Sequence, residues 1–394
     1  MPETITIIIP WYGDDTAGGA ETQARQLAAA IHALGVPVEV WASDGRDSFA
    51  PPVAYYPAGR DTLDGVPIRR FPITPPRAEP YVPPVVAQRG LTRHLPPFPD
   101  HELRLLASLA SSDALLEAVA TEGAGRQFLF VLYPFPTSFW GALLAGPRAH
   151  LLPCLHDEPY ARYSTVRWLF EHVRCSLANS PAERELALRL YDLPPARVVV
   201  AGEGIDLTPV GDGAAFRARH TLHGPLLMYA GRGDLSKNVP LLLSYVREYW
   251  ARRGGALRLI RTGRDPLDLP PALRELVLDL GDVSVQERHD AYAAADVFVQ
   301  PSLHESFSIV LMEAWLQATP ALVHSSCAVT RGFAEASGAG LHFASFGEFA
   351  AALDTLLPNA ALRAELGRRG QAFVRETCRW DDVARRTVAA LTAP

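Results

Sequence analysis

Apolar runs of two kinds alternate along this chain, and their order dictates an architecture. Thr4–Pro10 is β-branched and apolar, Glu21–Leu34 repeats its apolar residues at helical spacing, and Val36–Trp41 is a second strand-like run. Strand, amphipathic helix and strand in that order make the βαβ unit of a parallel sheet. The rhythm restarts later, with strand patterns at Leu226–Ala230, Leu257–Arg261, Val297–Gln300 and Ala321–His324 and helical patterns at Pro240–Ala251 and Gln286–Ala295. Two doubly wound α/β domains in tandem follow. The strand Arg197–Val200 runs out into Gly202-Glu203-Gly204-Ile205-Asp206, which sets the first domain at 1–204 and the second at 205–376. A last helical pattern, Asp381–Leu391, follows a break, and the segment 377–394 is expected to pack back on the first domain.

A chain of 394 residues is long enough for two such cores without disulfides or metals. Its four cysteines, Cys154, Cys175, Cys327 and Cys378, lie far apart and form no C-x-x-C pair, so free thiols are expected. No apolar run approaches the roughly 18–20 residues of a membrane span, and Met1-Pro2-Glu3 lacks the opening of a signal peptide. The expectation is a cytoplasmic protein. A net charge of −6 without a basic block argues against nucleic acid as a partner. Of the 37 basic residues 36 are arginine, and the single lysine is Lys237. Pro72–Asp100 holds nine prolines and reads as a long surface loop without a helix, either a stiff insertion or one wall of a substrate cleft.

The chemistry concentrates in Asp296–Pro320. A strand ends in a Pro-Ser turn, and a helix is expected to start near Ser306–Ser308, with Glu305 just before it and Glu313 about two turns inside. The N–H groups of Ser306, Phe307, Ser308 and Ile309 would then lack intrahelical partners and form an anion site. Glu313 is embedded among Ile309, Val310, Leu311, Met312, Ala314, Trp315 and Leu316, where an unpaired carboxylate costs several kcal/mol. A ligand diol such as a ribose, an internal arginine or a backbone donor would satisfy it. A second cluster, Gly231-Arg232-Gly233-Asp234-Leu235-Ser236-Lys237-Asn238, ends a strand in a glycine turn with two cations five residues apart, suited to a diphosphate. In the first half, Gly18 and Gly19 open a helix after the first strand, and His156 lies just past the strand His150–Pro153, beside two carboxylates. Each of these has a structural reading as well, a tight turn for the glycines and a packed side chain for the histidine.

Taken in order, these elements resemble glycosyltransferase family 4, the retaining enzymes of GT-B fold, whose two Rossmann-like domains face a central cleft. Glu305 and Glu313 match the family's E-x7-E element, Gly231, Arg232, Lys237 and Asn238 its diphosphate element, Gly18 and Gly19 its glycine loop, and His156 its N-domain histidine. Glu203-Gly204-Ile205-Asp206 approximates the linker motif Asn-Gly-Val-Asp. The sequence departs at Ala318, where glycine is common, and at Glu203. The resemblance implies that Arg232 and Lys237 hold the donor diphosphate and Glu313 the ribose. Glu305, with Ser306, Phe307, Ser308, Ile309 and Val310, would hold the donor sugar, and His156 would contact that sugar. It implies a UDP- or GDP-type nucleotide sugar as co-substrate, no other cofactor, and a glycan, lipid-linked glycan or small-molecule acceptor. Synthesis of bacterial surface polysaccharide or glycoconjugate fits, with peripheral contact at the inner face of the membrane.

No Asp-x-Asp spacing occurs, so the usual carboxylate pair for a donor-bound divalent ion is missing from the sequence and metal-independent transfer is expected. A nucleotide-sugar 2-epimerase on the same scaffold would need further acid/base carboxylates, and an inactive sugar-nucleotide-binding protein would bind donor without consuming it. A nicotinamide dehydrogenase fits poorly, because Trp11-Tyr12-Gly13-Asp14-Asp15 follows the first strand in place of a glycine fingerprint.

Overall fold

The computed structural model describes residues 3–16, 18–48, 50–254, 257–264, 267 and 269–393. The chain forms two compact units, Met1–Gly204 with Trp380–Pro394 and Ile205–Arg379. Both are α/β, with a mostly parallel sheet between helices, the GT-B arrangement.

Among the described residues, the first unit carries eight strands: β1 (Thr4–Trp11), β2 (Val38–Ser43), β3 (Gly59–Leu63), β4 (Val66–Phe71), β5 (Arg126–Val131), β6 (Ala149–Leu152), β7 (Cys175–Ala178) and β8 (Val198–Val200). Their order is β3-β4-β2-β1-β5-β6-β7-β8, with only β3 antiparallel to its neighbour. β1, β2, β5, β6 and β7 are buried almost end to end, which is why their sequences run apolar without alternation. From β1 the chain winds outward to β4 and then returns to build β5–β8 on the other side. The strand order therefore switches between β1 and β5, and in open α/β sheets such a point is where ligands bind. The helix Trp380–Thr392 lays Val383, Ala384 and Leu391 into the same core as Ile5, Ile7 and Leu27.

The second unit carries β9 (Leu226–Ala230), β10 (Arg258–Thr262), β11 (Val277–Asp279), β12 (Val297–Gln300), β13 (Ala321–His324) and β14 (Gly340–Phe343), all parallel in the order β11-β10-β9-β12-β13-β14. Its switch point lies between β9 and β12. Among the described residues no helix is long and apolar enough to cross a membrane.

Two expectations are corrected. The proline-rich segment contains helical turns at Pro84–Gln88 and Leu91–His94. Pro84 occupies the first helical position, where no backbone N–H is required, and Val85 and Val86 are buried against Leu106, Leu116, Phe139 and Trp140. The helix after β12 is Ile309–Leu316, later than the sequence suggests, so Glu313 lies little more than one turn inside it. The reason is backbone conformation: Ser308 sits at φ 83°, in the left-handed region, and Ser306 and Phe307 remain outside the helix.

Candidate active site

At the switch point of the second unit, two loops meet over the ends of β9 and β12. The first is the turn after β9. Gly231 has φ 141°, and a side chain there would run into the Tyr229 hydroxyl, which donates instead to the Arg232 carbonyl at 2.7 Å. A single turn of 3-10 helix, Leu235–Lys237, is capped by Asp234, which accepts from the Lys237 N–H at 3.2 Å. Asn238 then turns left-handed at φ 57° and donates its amide to the Pro301 carbonyl at 3.1 Å, tying this turn to the loop after β12.

That second loop carries Glu305. Lys237 Nζ lies 2.7 Å from Glu305 Oε1, and the Gln300 amide donates to the same oxygen at 2.9 Å. Both members of the pair are largely withdrawn from solvent, with 24% and 11% of their side chains exposed. Arg232 is more open, 3.4 Å from Asp234 and within 3.0 Å of the Ser236 hydroxyl. Both cations of this loop are thus paired with carboxylates, Lys237 with Glu305 and Arg232 with Asp234. Phe307 is buried edge-on to Phe333, which fixes the approach to the helix, while Ile309 and Val310 in its first turn stay partly open.

Glu313 has an internal partner. Arg288 forks onto it, Nε to Oε2 at 3.0 Å and Nη2 to Oε1 at 2.7 Å, and the buried Tyr292 hydroxyl adds a bond to Oε2 at 3.1 Å. The internal arginine weighed for this carboxylate is found, so burial alone does not demand a ligand diol. Arg288 and Tyr292 escaped the sequence analysis. The available signal was their i, i+4 spacing on the helix Val285–Ala294, which puts both on one face.

In the first unit, Gly18 caps the helix Gly19–Ala33 at φ 134°, with the Glu21 carboxyl folded where a Gly18 side chain would be. Burial, with Asp47 nearby, pushes the Glu21 carboxyl up to about 7. His156 follows β6 and is half-buried, its Nδ1 3.3 Å from Glu158. The loop that carries it is braced from below. The fully buried Glu183 accepts the backbone N–H groups of Leu155 and Asn179, and burial raises its carboxyl to about 8 in spite of those two donors. Gln23 and Asn179 join the glycine-loop helix to the same brace, 2.6 Å apart. Among the described residues, no group of three or more His, Cys, Asp or Glu side chains is placed to hold a metal ion.

Two family models match the chain: Glycosyltransferase Family 4 over residues 17–209 and Glycosyl transferases group 1 over residues 224–359. The chain belongs to glycosyltransferase family 4. Family members with the name D-inositol 3-phosphate glycosyltransferase are similar to it. That of Kineococcus radiotolerans is 34% identical over 255 residues, 55% of this chain and 57% of the relative. That of Frankia alni is 33% identical over 199 residues, 46% of this chain and 47% of the relative. The chain spans about half the length of the curated relatives it matches. Solved structures share the family 4 chain's fold over nearly its whole length. HepE of Anabaena in complex with UDP superposes with a TM-score of 0.72 at 14% identity, covering 99% of this chain and all of that one. Sucrose-phosphate synthase of Thermosynechococcus elongatus gives 0.70 at 19% identity, covering 98% and 97%.

Proposed function

We propose that this family 4 protein transfers a sugar from a nucleoside diphosphate sugar to an acceptor hydroxyl with the anomeric configuration retained. The observation that carries the reading is the Lys237–Glu305 pair at the switch point of the second unit, set beside the Gly231–Asn238 turn. As the glycosidic bond breaks, the departing diphosphate gains charge while the sugar becomes oxocarbenium-like. Arg232 and Lys237 are suited to offset the first change, with the positive end of the helix Ile309–Leu316 beside them. Glu305 is suited to accept from hydroxyls of the donor sugar once Lys237 turns to phosphate. Glu313 is suited to take the ribose. The acceptor approaches the face the diphosphate leaves, and a phosphate oxygen takes its proton.

A uridine nucleotide is the first choice of donor, because HepE has been solved with UDP and with UDP-glucose. The name of the curated relatives makes a polyol phosphate one acceptor class, beside glycans of the bacterial surface and small glycoconjugates. No metal or dissociable cofactor enters the reading.

The test is turnover. UDP- and GDP-sugars are offered with inositol 3-phosphate, simple glycans and lipid-linked glycans, with and without EDTA, and the product linkage is read by NMR. Sugar transfer with the donor's anomeric configuration, undiminished by EDTA, is the expected result. Donor isomerised without any acceptor present would replace the transferase reading by a 2-epimerase.

A further inference from the structure

The three donors on Glu313 are spread unevenly. Among the described residues, Oε2 receives Arg288 Nε and the Tyr292 hydroxyl, whereas Oε1 receives Arg288 Nη2 alone. An ionised carboxylate offers about four lone-pair positions, so roughly one remains, on Oε1. A ribose diol has two hydroxyls, and a single position accepts from only one of them. The other needs a different partner, and its oxygen can accept from a neighbouring N–H. Tyr292 has committed its only proton to Glu313 and is fully buried. Arg288 has five N–H donors in a planar fork, of which two are engaged with Glu313, and 29% of its side chain is exposed.

We infer that Arg288 is the second ribose-recognition residue: Glu313 accepts from one hydroxyl and Arg288 donates to the other. The inference rests on the donor-site reading above and sharpens it to specificity for ribose over deoxyribose. A site that hydrogen-bonds a hydroxyl rejects the analogue lacking it, since its own polar group is then left unpaired. A purely structural Arg288 would brace Glu313 and leave that discrimination to the carboxylate alone.

Calorimetry on the full chain with UDP, 2′-deoxy-UDP and 3′-deoxy-UDP distinguishes the two. Wild type is expected to bind each deoxy analogue at least tenfold more weakly than UDP. Arg288→Lys keeps a cation beside Glu313 and loses the fork. It should bind UDP about tenfold more weakly, with one deoxy penalty falling to within twofold of unity and the other persisting. Two unchanged penalties overturn the inference. If Arg288→Lys does not fold, Arg288→Gln, which keeps an amide donor beside Glu313, gives the same reading: one lost penalty supports the assignment, and two unchanged penalties overturn it. Failure of wild type to bind any of UDP, GDP, ADP or TDP overturns the donor-site reading itself, and this inference with it.

Discussion

Lys237 and Glu305, 68 residues apart in sequence, meet at 2.7 Å where β9 and β12 end. Each is the group the other's proposed ligand must displace: donor phosphate competes for the ammonium, and sugar hydroxyls compete for the carboxylate. Lysine is the better half of such an exchange. Its compact ammonium swings among phosphate oxygens, whereas a guanidinium would lock onto Glu305 as a fork. Lys237→Arg should therefore lower donor kcat/KM despite the conserved charge, and Lys237→Ala should lower it about 10- to 100-fold, the worth of one charge-assisted hydrogen bond. Steady-state kinetics with the best donor checks both, and full activity in Lys237→Arg would make the chain's only lysine a compositional accident.

Removing the Glu313 carboxylate leaves a mostly buried guanidinium without its partner. Glu313→Gln should cost roughly 1–3 kcal/mol of folding stability, below the range for fully buried pairs because Arg288 can reach water, and should also weaken nucleoside diphosphate binding. Urea unfolding and calorimetry measure the two effects separately. Weakened binding at unchanged stability would mean that Arg288 finds another partner.

Two carboxyls give the first unit a pH signature. Burial raises Glu21 to about 7 and Glu183 to about 8, above the value near 4.3 of an unfolded glutamate. Between those limits the folded state holds protons that the unfolded chain has released, so their contribution is complete below pH ~4.3 and is lost as pH rises. Each group contributes a slope of about −1.4 kcal/mol per pH unit in its window. Glu21→Gln should flatten the dependence between pH 5 and 7, and Glu183→Gln between pH 5 and 8. For Glu183→Gln the slope is the diagnostic, because the amide also loses one of the two backbone donors. Urea midpoints across pH 5–8 that keep the wild-type slope in both variants would refute the raised values.

Ala318 ends the helix Ile309–Leu316 at φ 58°, with its N–H on the Trp315 carbonyl and that of Thr319 on the Ala314 carbonyl, a Schellman cap. Its carbonyl fills the space a side chain at Gly367 would need. The glycine common in the family at this position is thus explained by backbone conformation. An alanine held left-handed costs about 1–2 kcal/mol, part of which glycine gives back in unfolded-state entropy. Ala318→Gly should stabilise the protein by about 0.5–1 kcal/mol without changing donor affinity, as thermal melts and calorimetry would report.

What could be read in the sequence follows the range of the interaction that fixes it. β9, β12 and β13 are legible to the residue because burial on both faces makes them continuous apolar runs. The turn at Gly231 is legible because glycine there has a local cause. The start of the helix before Glu313 is displaced because Ser308, a good cap by type, takes a left-handed conformation that its neighbours in sequence do not announce. The helical turn at Pro84–Gln88 is hidden by proline count, since only position within the turn distinguishes a breaker from a starter. Arg288 is hidden for a different reason: its partner lies 25 residues away on another helix, and nothing local marks the pair.

The return of the helix Trp380–Thr392 to the first unit makes the second unit, in topological terms, an insertion within the first. Residues 205–379 form one uninterrupted stretch whose strands all pair among themselves. The first unit has no such continuity, since its core takes Val383, Ala384 and Leu391 from beyond the insertion. During synthesis it completes its core last, after the unit nested inside it has been made.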